Sequence, residues 1–262
     1  MNFNNIGQEV AIIKDNDEEK NTKICVYDPD RDKDKKSKLI DDYEKITLDD
    51  DEGYFQYVSD KKMDRDVIYI CGGPGSGKSY WIKNYLENYF LSAYRNYPIY
   101  LISSKDEDTQ LDKIKRVKRL TIDETYISNP IDYKSFEESL VIMDDIDSFK
   151  GKLKEEIYHL RDIIINNGRS YKINLIATTH EATGKINKIA LDFSNAIVFF
   201  LRNYNNNLKY FLESYIGLDK KQIDELKNQK KAKGRSTVYI KRTYTHIIMQ
   251  DNRIMTFNGI LE

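Results

Sequence analysis

The chain is short of the residues that staple or cage a fold. Among 262 residues there are two cysteines and three histidines. Cys25 and Cys71 both fall in apolar, strand-like runs, where a reduced buried thiol is expected rather than a disulfide or a metal ligand. Three histidines leave little material for a zinc site. Long apolar runs are missing as well: none approaches the roughly 18 residues of a membrane helix, so no membrane association is expected. Met1 to Val10 lacks a basic segment followed by an apolar stretch, so no secretory leader is read there and a cytoplasmic setting follows. Net charge is nearly absent at -1, but it is unevenly spread. Residues 1–66 hold 12 Lys/Arg against 19 Asp/Glu, whereas residues 220–242 hold nine Lys/Arg against Asp224 and Glu225. The basic segment could face a polyanion; the plainer alternative is a solvated helix face.

What is present has two textures. Residues 1–66 mix short β-like runs (Glu9 to Ile13, Lys23 to Tyr27, Tyr54 to Val58) with charge-dense stretches at 28–38 and 49–52. This predicts a small β-rich amino-terminal appendage. From residue 67 to 262 the pattern becomes apolar strands alternating with amphipathic helices, which predicts an α/β core with a mainly parallel sheet and helices on both faces. The expected strands are Val67 to Cys71, Ile99 to Ile102, Leu140 to Met143, Ile173 to Ala177 and Ala196 to Leu201. Leu153, Ile157, Leu160 and Ile164 recur at helical spacing, with Gly168 as the expected stop. His246 to Gln250 and Ile254 to Phe257 flank a turn-prone Asp251-Asn252-Arg253, the layout of a carboxy-terminal β-hairpin.

The strand Val67 to Cys71 runs directly into Gly72-Gly73-Pro74-Gly75-Ser76-Gly77-Lys78-Ser79, which satisfies G-x-x-x-x-G-K-[ST] with a strand before it and a helix after it. Glycines let successive N–H groups point into one concavity, and the helix amino end adds partial positive charge, so a polyphosphate fits there. ATP is the expected ligand of these eight residues. Lys78 would sit between the β and γ phosphates, and the Ser79 hydroxyl would be a ligand of Mg2+. A second apolar run, Leu140 to Met143, ends in Asp144-Asp145 and resembles a Walker B motif. Asp144 would hold the magnesium through water, and Asp145 would orient or deprotonate the attacking water. The alternative is a loop that begins acidic, with Asp147 as a further solvated member. The strand Ile99 to Ile102 intervenes between the two motifs, as in the RecA-like (ASCE) division of P-loop NTPases. Small-molecule kinases and GTPases are disfavoured on that ground.

A third stretch runs Asn167-Gly168-Arg169-Ser170-Tyr171-Lys172-Ile173-Asn174-Leu175-Ile176-Ala177-Thr178-Thr179-His180. It resembles the G-R-x-x-x-I-x-L-x-x-A-T-Q stretch of the FtsK-HerA superfamily of DNA-pumping ATPases, with His180 where that family commonly has glutamine. Ser194 to Arg202 and Tyr210 to Ile223 resemble the poxvirus-type branch, the genome-packaging ATPases of large DNA viruses. The resemblance spans roughly residues 67–257. It implies an ATP-hydrolysing motor that moves double-stranded DNA without regard to sequence, a ring of identical subunits, most simply a hexamer, and capsid proteins as possible partners. It also implies γ-phosphate sensing by His180 and an arginine finger inserted into the neighbouring subunit, with Arg169 as first choice and Arg202 or Arg161 as alternatives. Two other readings stay open: an AAA+ type ATPase that remodels proteins, and a nucleotide-gated scaffold with negligible hydrolysis.

Overall fold

Runs of β-branched and aliphatic residues set the strands, and the helices take up the intervening amphipathic segments. The computed structural model describes residues 3, 5–14, 21–27, 45–47, 54–59, 65–228, 236–241, 245–250 and 253–258. The acidic stretches 28–38 and 49–52, the turn residues Asp251 and Asn252, and the basic Lys230, Lys231, Lys233, Arg235 and Arg242 lie outside them. In chain order the strands are β1 (Gln8–Lys14), β2 (Asn21–Val26), β3 (Lys45–Thr47), β4 (Tyr54–Tyr57), β5 (Val67–Cys71), β6 (Ile99–Ser103) and β7 (Val117–Leu120). They continue with β8 (Leu140–Asp144), β9 (Asn174–Thr179), β10 (Ala196–Phe200), β11 (Ser236–Ile240), β12 (Thr245–Gln250) and β13 (Arg253–Asn258).

The chain forms two compact units, one of Met1–Met63 with Thr237–Glu262 and one of Asp64–Ser236. The carboxy-terminal strands, expected with the core, therefore group with the amino-terminal ones. The reason is backbone pairing: β13 is antiparallel to β3 from Arg253↔Thr47 to Met255↔Lys45, and a three-residue strand leaves too little apolar pattern to be read from sequence. In the same unit β1 pairs antiparallel with β2 and β4, around buried Val10, Ala11, Ile24 and Tyr57. The expected hairpin is present as β12 and β13, in register from Thr245↔Asn258 to Gln250↔Arg253.

In the larger unit the strand order is β10-β5-β9-β8-β6-β7, every neighbouring pair parallel. Strands β5, β8, β9 and β10 are buried along their whole length, which is why they read as unbroken apolar runs. Edge strand β7 escaped the sequence reading because Val117-Lys118-Arg119-Leu120 is only partly covered and carries two cations. Connections from β5 to β6 and β7 step one way across the sheet, and those through β8 and β9 to β10 step back. Right-handed crossovers then put helices on both faces.

The helix Gly151–Asn167 buries Leu153, Ile157, Leu160 and Ile164, the stripe expected from the spacing. It does not end in a left-handed glycine. Gly168 stays right-handed, and the guanidinium of Arg65 donates to the last-turn carbonyls of Ile164 and Ile165; a β-carbon on Gly168 would lie 2.5 Å from Arg65 Nη1.

A buried asparagine ties the amino ends of the strands. Asn174 Oδ1 accepts the Asp66 N–H at 2.8 Å and Asn174 Nδ2 donates to Ser139 O at 3.1 Å, joining the segments that lead into β5, β8 and β9. Asn174→Ala leaves the buried Asp66 N–H without its partner, while Ser139 O keeps the backbone N–H of residue 174, and should lower the unfolding free energy by about 2 kcal/mol in urea denaturation. A loss indistinguishable from zero would show that the amide is dispensable.

Candidate active site

Strand β5 delivers the glycine-rich loop to the carboxyl edge of the sheet. The Gly72 N–H donates to Thr179 O at 3.1 Å, carrying the β5–β9 ladder one step into the loop. A β-carbon on Gly72 would lie 2.6 Å from both Phe200 Cδ2 and Ser76 Oγ, so only glycine permits this approach. Gly77, at φ 106°, makes the left-handed turn into the helix Lys78–Tyr85. No side chain caps that helix, so its first-turn N–H groups are left for an anion. Pro74 and Gly75 are exposed at the loop tip, whereas Ser76 and Lys78 are buried. The Lys78 ammonium is held 2.8 Å from Gly72 O and 2.9 Å from Asp145 Oδ1.

Two strands away from β5, β8 ends in the carboxylates, with β9 between them. Asp144 and Asp145 are both buried. Asp145 leaves the strand at φ 50°, a left-handed conformation that aspartate tolerates better than most residues. Its N–H donates to Thr178 Oγ1 at 2.7 Å, and the same hydroxyl donates to Asp144 Oδ1 at 2.9 Å. Thr178 thus binds both acidic residues from the end of β9.

The two carboxyls differ electrostatically. Burial and then the charge of Asp145 push Asp144 above the usual carboxylate range. Burial alone would raise Asp145 too, but hydrogen bonds from Lys105 and Lys78 outweigh it and hold Asp145 below that range. Lys105 Nζ lies 2.6 Å from Asp145 Oδ2 and 3.9 Å from Asp144 Oδ2. A carboxylate held ionised in this way suits orienting a water better than keeping its proton.

His180 follows β9, and its Nδ1 lies 2.7 Å from Asp147 Oδ2, which also accepts the His180 N–H at 2.9 Å. His180 Nε2 then faces Asp145 Oδ1 at 3.7 Å. Asp147, a solvated acid only in the alternative reading of this stretch, orients the imidazole. Ser79 Oγ donates to Asp108 Oδ2 at 2.9 Å. Sequence reasoning missed Lys105 and Asp108 because the segment joining β6 to β7 has no motif, and missed the bridging role of Thr178 because a hydroxyl at a strand end is common.

The arginines separate by position. Arg161 is fully buried and donates to Asn187 Oδ1, Ile186 O and Asp162 Oδ1, with its guanidinium over the Tyr158 ring; it cannot reach a neighbouring molecule. Arg169 is exposed, and its charge adds to burial in lowering Arg65 to about 10. Arg169 lies in the turn Gly168–Tyr171 before β9, whereas the phosphate loop adjoins the far end of β9 at Thr179, so the length of that strand separates Arg169 from the loop of its own chain. Arg202 is also exposed, in the turn Leu201–Asn203 after β10, on the loop edge of the sheet.

Lys78, Ser79, Asp144, Asp145 and His180 therefore converge, while Arg169 stands apart. Ser79, Asp144 and Asp145 offer only oxygen, the donor set of a hard divalent cation, and Asp144 Oδ2 is buried without a hydrogen-bond partner. These residues fit magnesium, and the loop fits a polyphosphate. Both thiols are buried, and burial pushes Cys71 up to about 12, which removes it from any chemistry here.

No family model matches the chain. A protein of the Sputnik virophage, named Uncharacterized protein V3, is 32% identical over 168 residues, which are 63% of this chain and 67% of that protein. Among solved structures, EssC (ATPases 2 and 3) from Geobacillus thermodenitrificans matches 100% of this chain and 47% of its own at 14% identity, with a TM-score of 0.50. The DNA-packaging ATPase B204 from Sulfolobus Turreted Icosahedral Virus is 19% identical, with 76% of this chain and 100% of that chain covered and a TM-score of 0.46. The likeness to EssC is one of fold, the P-loop ATPase fold expected from the sequence.

The unlike carboxyls predict opposite responses to neutralisation. Asp144 has a raised folded pKa, so its ionised form weakens the fold once pH rises through that value. Asp144→Asn should raise Tm at neutral pH by roughly 2–4 °C, the shift that 1 kcal/mol gives in a chain of this size, with the gain vanishing at acid pH where Asp144 is protonated in both states. Asp145 has a depressed folded pKa, so its contribution is present above the usual carboxylate range and lost as pH falls through the depressed value. Asp145→Asn leaves buried Lys78 with Gly72 O but without its carboxylate, and should cost about 3 kcal/mol at neutral pH. Equal shifts of the same sign would refute this division of charge.

Proposed function

The chain belongs to the same family as Uncharacterized protein V3 of the Sputnik virophage, and from its phosphate-loop site and the sequence resemblance to the FtsK-HerA ATPases we propose that it is an ATP-hydrolysing motor that moves double-stranded DNA, packaging a viral genome into a capsid. The observation that carries the ATPase reading is the convergence of Lys78, Ser79, Asp144, Asp145 and His180 at one edge of a parallel sheet. The loop N–H groups and Lys78 bind the phosphates. Ser79 and Asp144 hold magnesium, which supplies charge neutralisation for the phosphates when bound. Asp145 orients the attacking water. His180, fixed by Asp147, faces that water and senses the γ-phosphate.

The DNA reading is supported by the sequence resemblance to the FtsK-HerA ATPases and by the basic excess of residues 220–242. Lys220, Lys221 and Lys227 lie on the helix Lys220–Lys227, whose amino end is closed by a capping box of Asp219 and Gln222. Contacts to phosphates alone suit a motor that must grip every sequence. The resemblance implies a homo-oligomeric ring, taken as a hexamer, and Arg169 suits a finger in trans within it because its own loop lies at the opposite end of the strands. Capsid proteins are the further partners this reading names, and the compartment is the host cytoplasm; no helix among the described residues is long and apolar enough to cross a membrane.

Phosphate release with and without duplex DNA tests the motor. Strong stimulation by DNA of any sequence, abolished in Lys78→Ala, is expected. Turnover indifferent to DNA would favour a protein-remodelling ATPase, and nucleotide binding without turnover a scaffold. For the ring, Arg169→Ala should retain ATP affinity while hydrolysis falls on the order of 10³-fold. Mixing it with Lys78→Ala should restore part of the activity, because each subunit supplies what its neighbour lacks. Co-assembled subunits that recover nothing would pass the finger to Arg202.

A further inference from the structure

Lys105 comes from the segment between β6 and β7, outside every motif, yet its ammonium lies between the two carboxylates of β8. Its side chain is 48% exposed, against 1% for Asp144 and 6% for Asp145, so it can leave for solvent while they cannot. Three residues on, Asp108 is pinned by its own turn: Oδ1 accepts the N–H groups of Gln110 and Leu111, and Oδ2 takes the Ser79 hydroxyl. Asp108 also acts electrostatically on both Lys105 and Asp144. One short segment thus puts a cation on Asp144 and Asp145, and an anion on the hydroxyl expected to bind the metal.

We propose that Lys105 is a built-in counterion of the cation site, which magnesium must displace. The inference rests on the reading of Ser79 and Asp144 as cation ligands and adds to it a rule of order. Lys78 already occupies Asp145 Oδ1, so Lys105 and a divalent cation compete for the Oδ2 oxygens that remain. A free cation entering alone would force Lys105 away from its carboxylates with no new anion to meet. A cation arriving with nucleotide brings phosphates that give the displaced ammonium a partner. The metal is therefore bound together with nucleotide rather than before it, and the paired aspartates are never left without positive charge.

The test is Mn2+ binding to the full chain without nucleotide, followed by electron paramagnetic resonance. Lys105→Gln should tighten Mn2+ binding by about tenfold or more, because a competitor that occupies the site nine times in ten weakens apparent affinity by that factor. Lys105→Arg, which keeps the charge, should bind as weakly as the unaltered chain. Unchanged or weaker binding in Lys105→Gln overturns the proposal, and so does a mere loss of thermal stability in both variants with no change in affinity. The underlying site is checked separately: Mn2+ binding in the presence of ATPγS should vanish in Asp144→Asn. If it persists there, the ligand assignment fails; if it vanishes but Lys105→Gln has no effect, only the competition fails.

Discussion

Two adjacent carboxylates buried at the end of one strand set the terms for everything around them. Water cannot solvate them, so charge and hydrogen bonds must come from the protein. Lys78 supplies one cation from the phosphate loop, Lys105 a second from the β6–β7 segment, and Thr178 a hydroxyl shared by both acids. Each arrives from a different strand, and only the order β5-β9-β8-β6 brings the carboxyl ends of those strands side by side. The oxygen left without a hydrogen bond, Asp144 Oδ2, is the one best suited to a metal.

The same arrangement gives the site its asymmetry. Asp145 turns left-handed out of β8, toward Lys78 and His180, whereas Asp144 remains on the strand. One acid is then stabilised by two lysines and the other is destabilised by burial and by its neighbour. A backbone conformation uncommon for a non-glycine residue is tolerated here because Thr178 accepts the Asp145 N–H. Local cost is offset by a neighbouring strand.

Most of the larger unit was legible from residues. The interior strands are apolar from end to end because they are covered on both faces, and the phosphate loop is legible because only glycines allow its turn and its approach to Phe200. Edge strand β7 was not, since Lys118 and Arg119 break the apolar run where the sheet meets solvent. Strand β3 was not, being three residues held by pairing rather than by pattern. Arg161 and Arg169 look alike in sequence, but one is sealed in the core and the other is exposed.

By itself the sequence determined the nucleotide chemistry, because a loop motif is local: Gly72 to Ser79 needs only a strand before it and a helix after it. It also determined the two aspartates and the histidine as candidates, since each ends an apolar strand. Tertiary structure alone decided how those residues are charged and aimed. Lys105 lies 40 positions from Asp145 and Asp147 lies 33 from His180, separations across which no periodicity acts. Electrostatic pairing depends on distance in space, which the parallel sheet sets by its strand order and which a linear pattern does not encode.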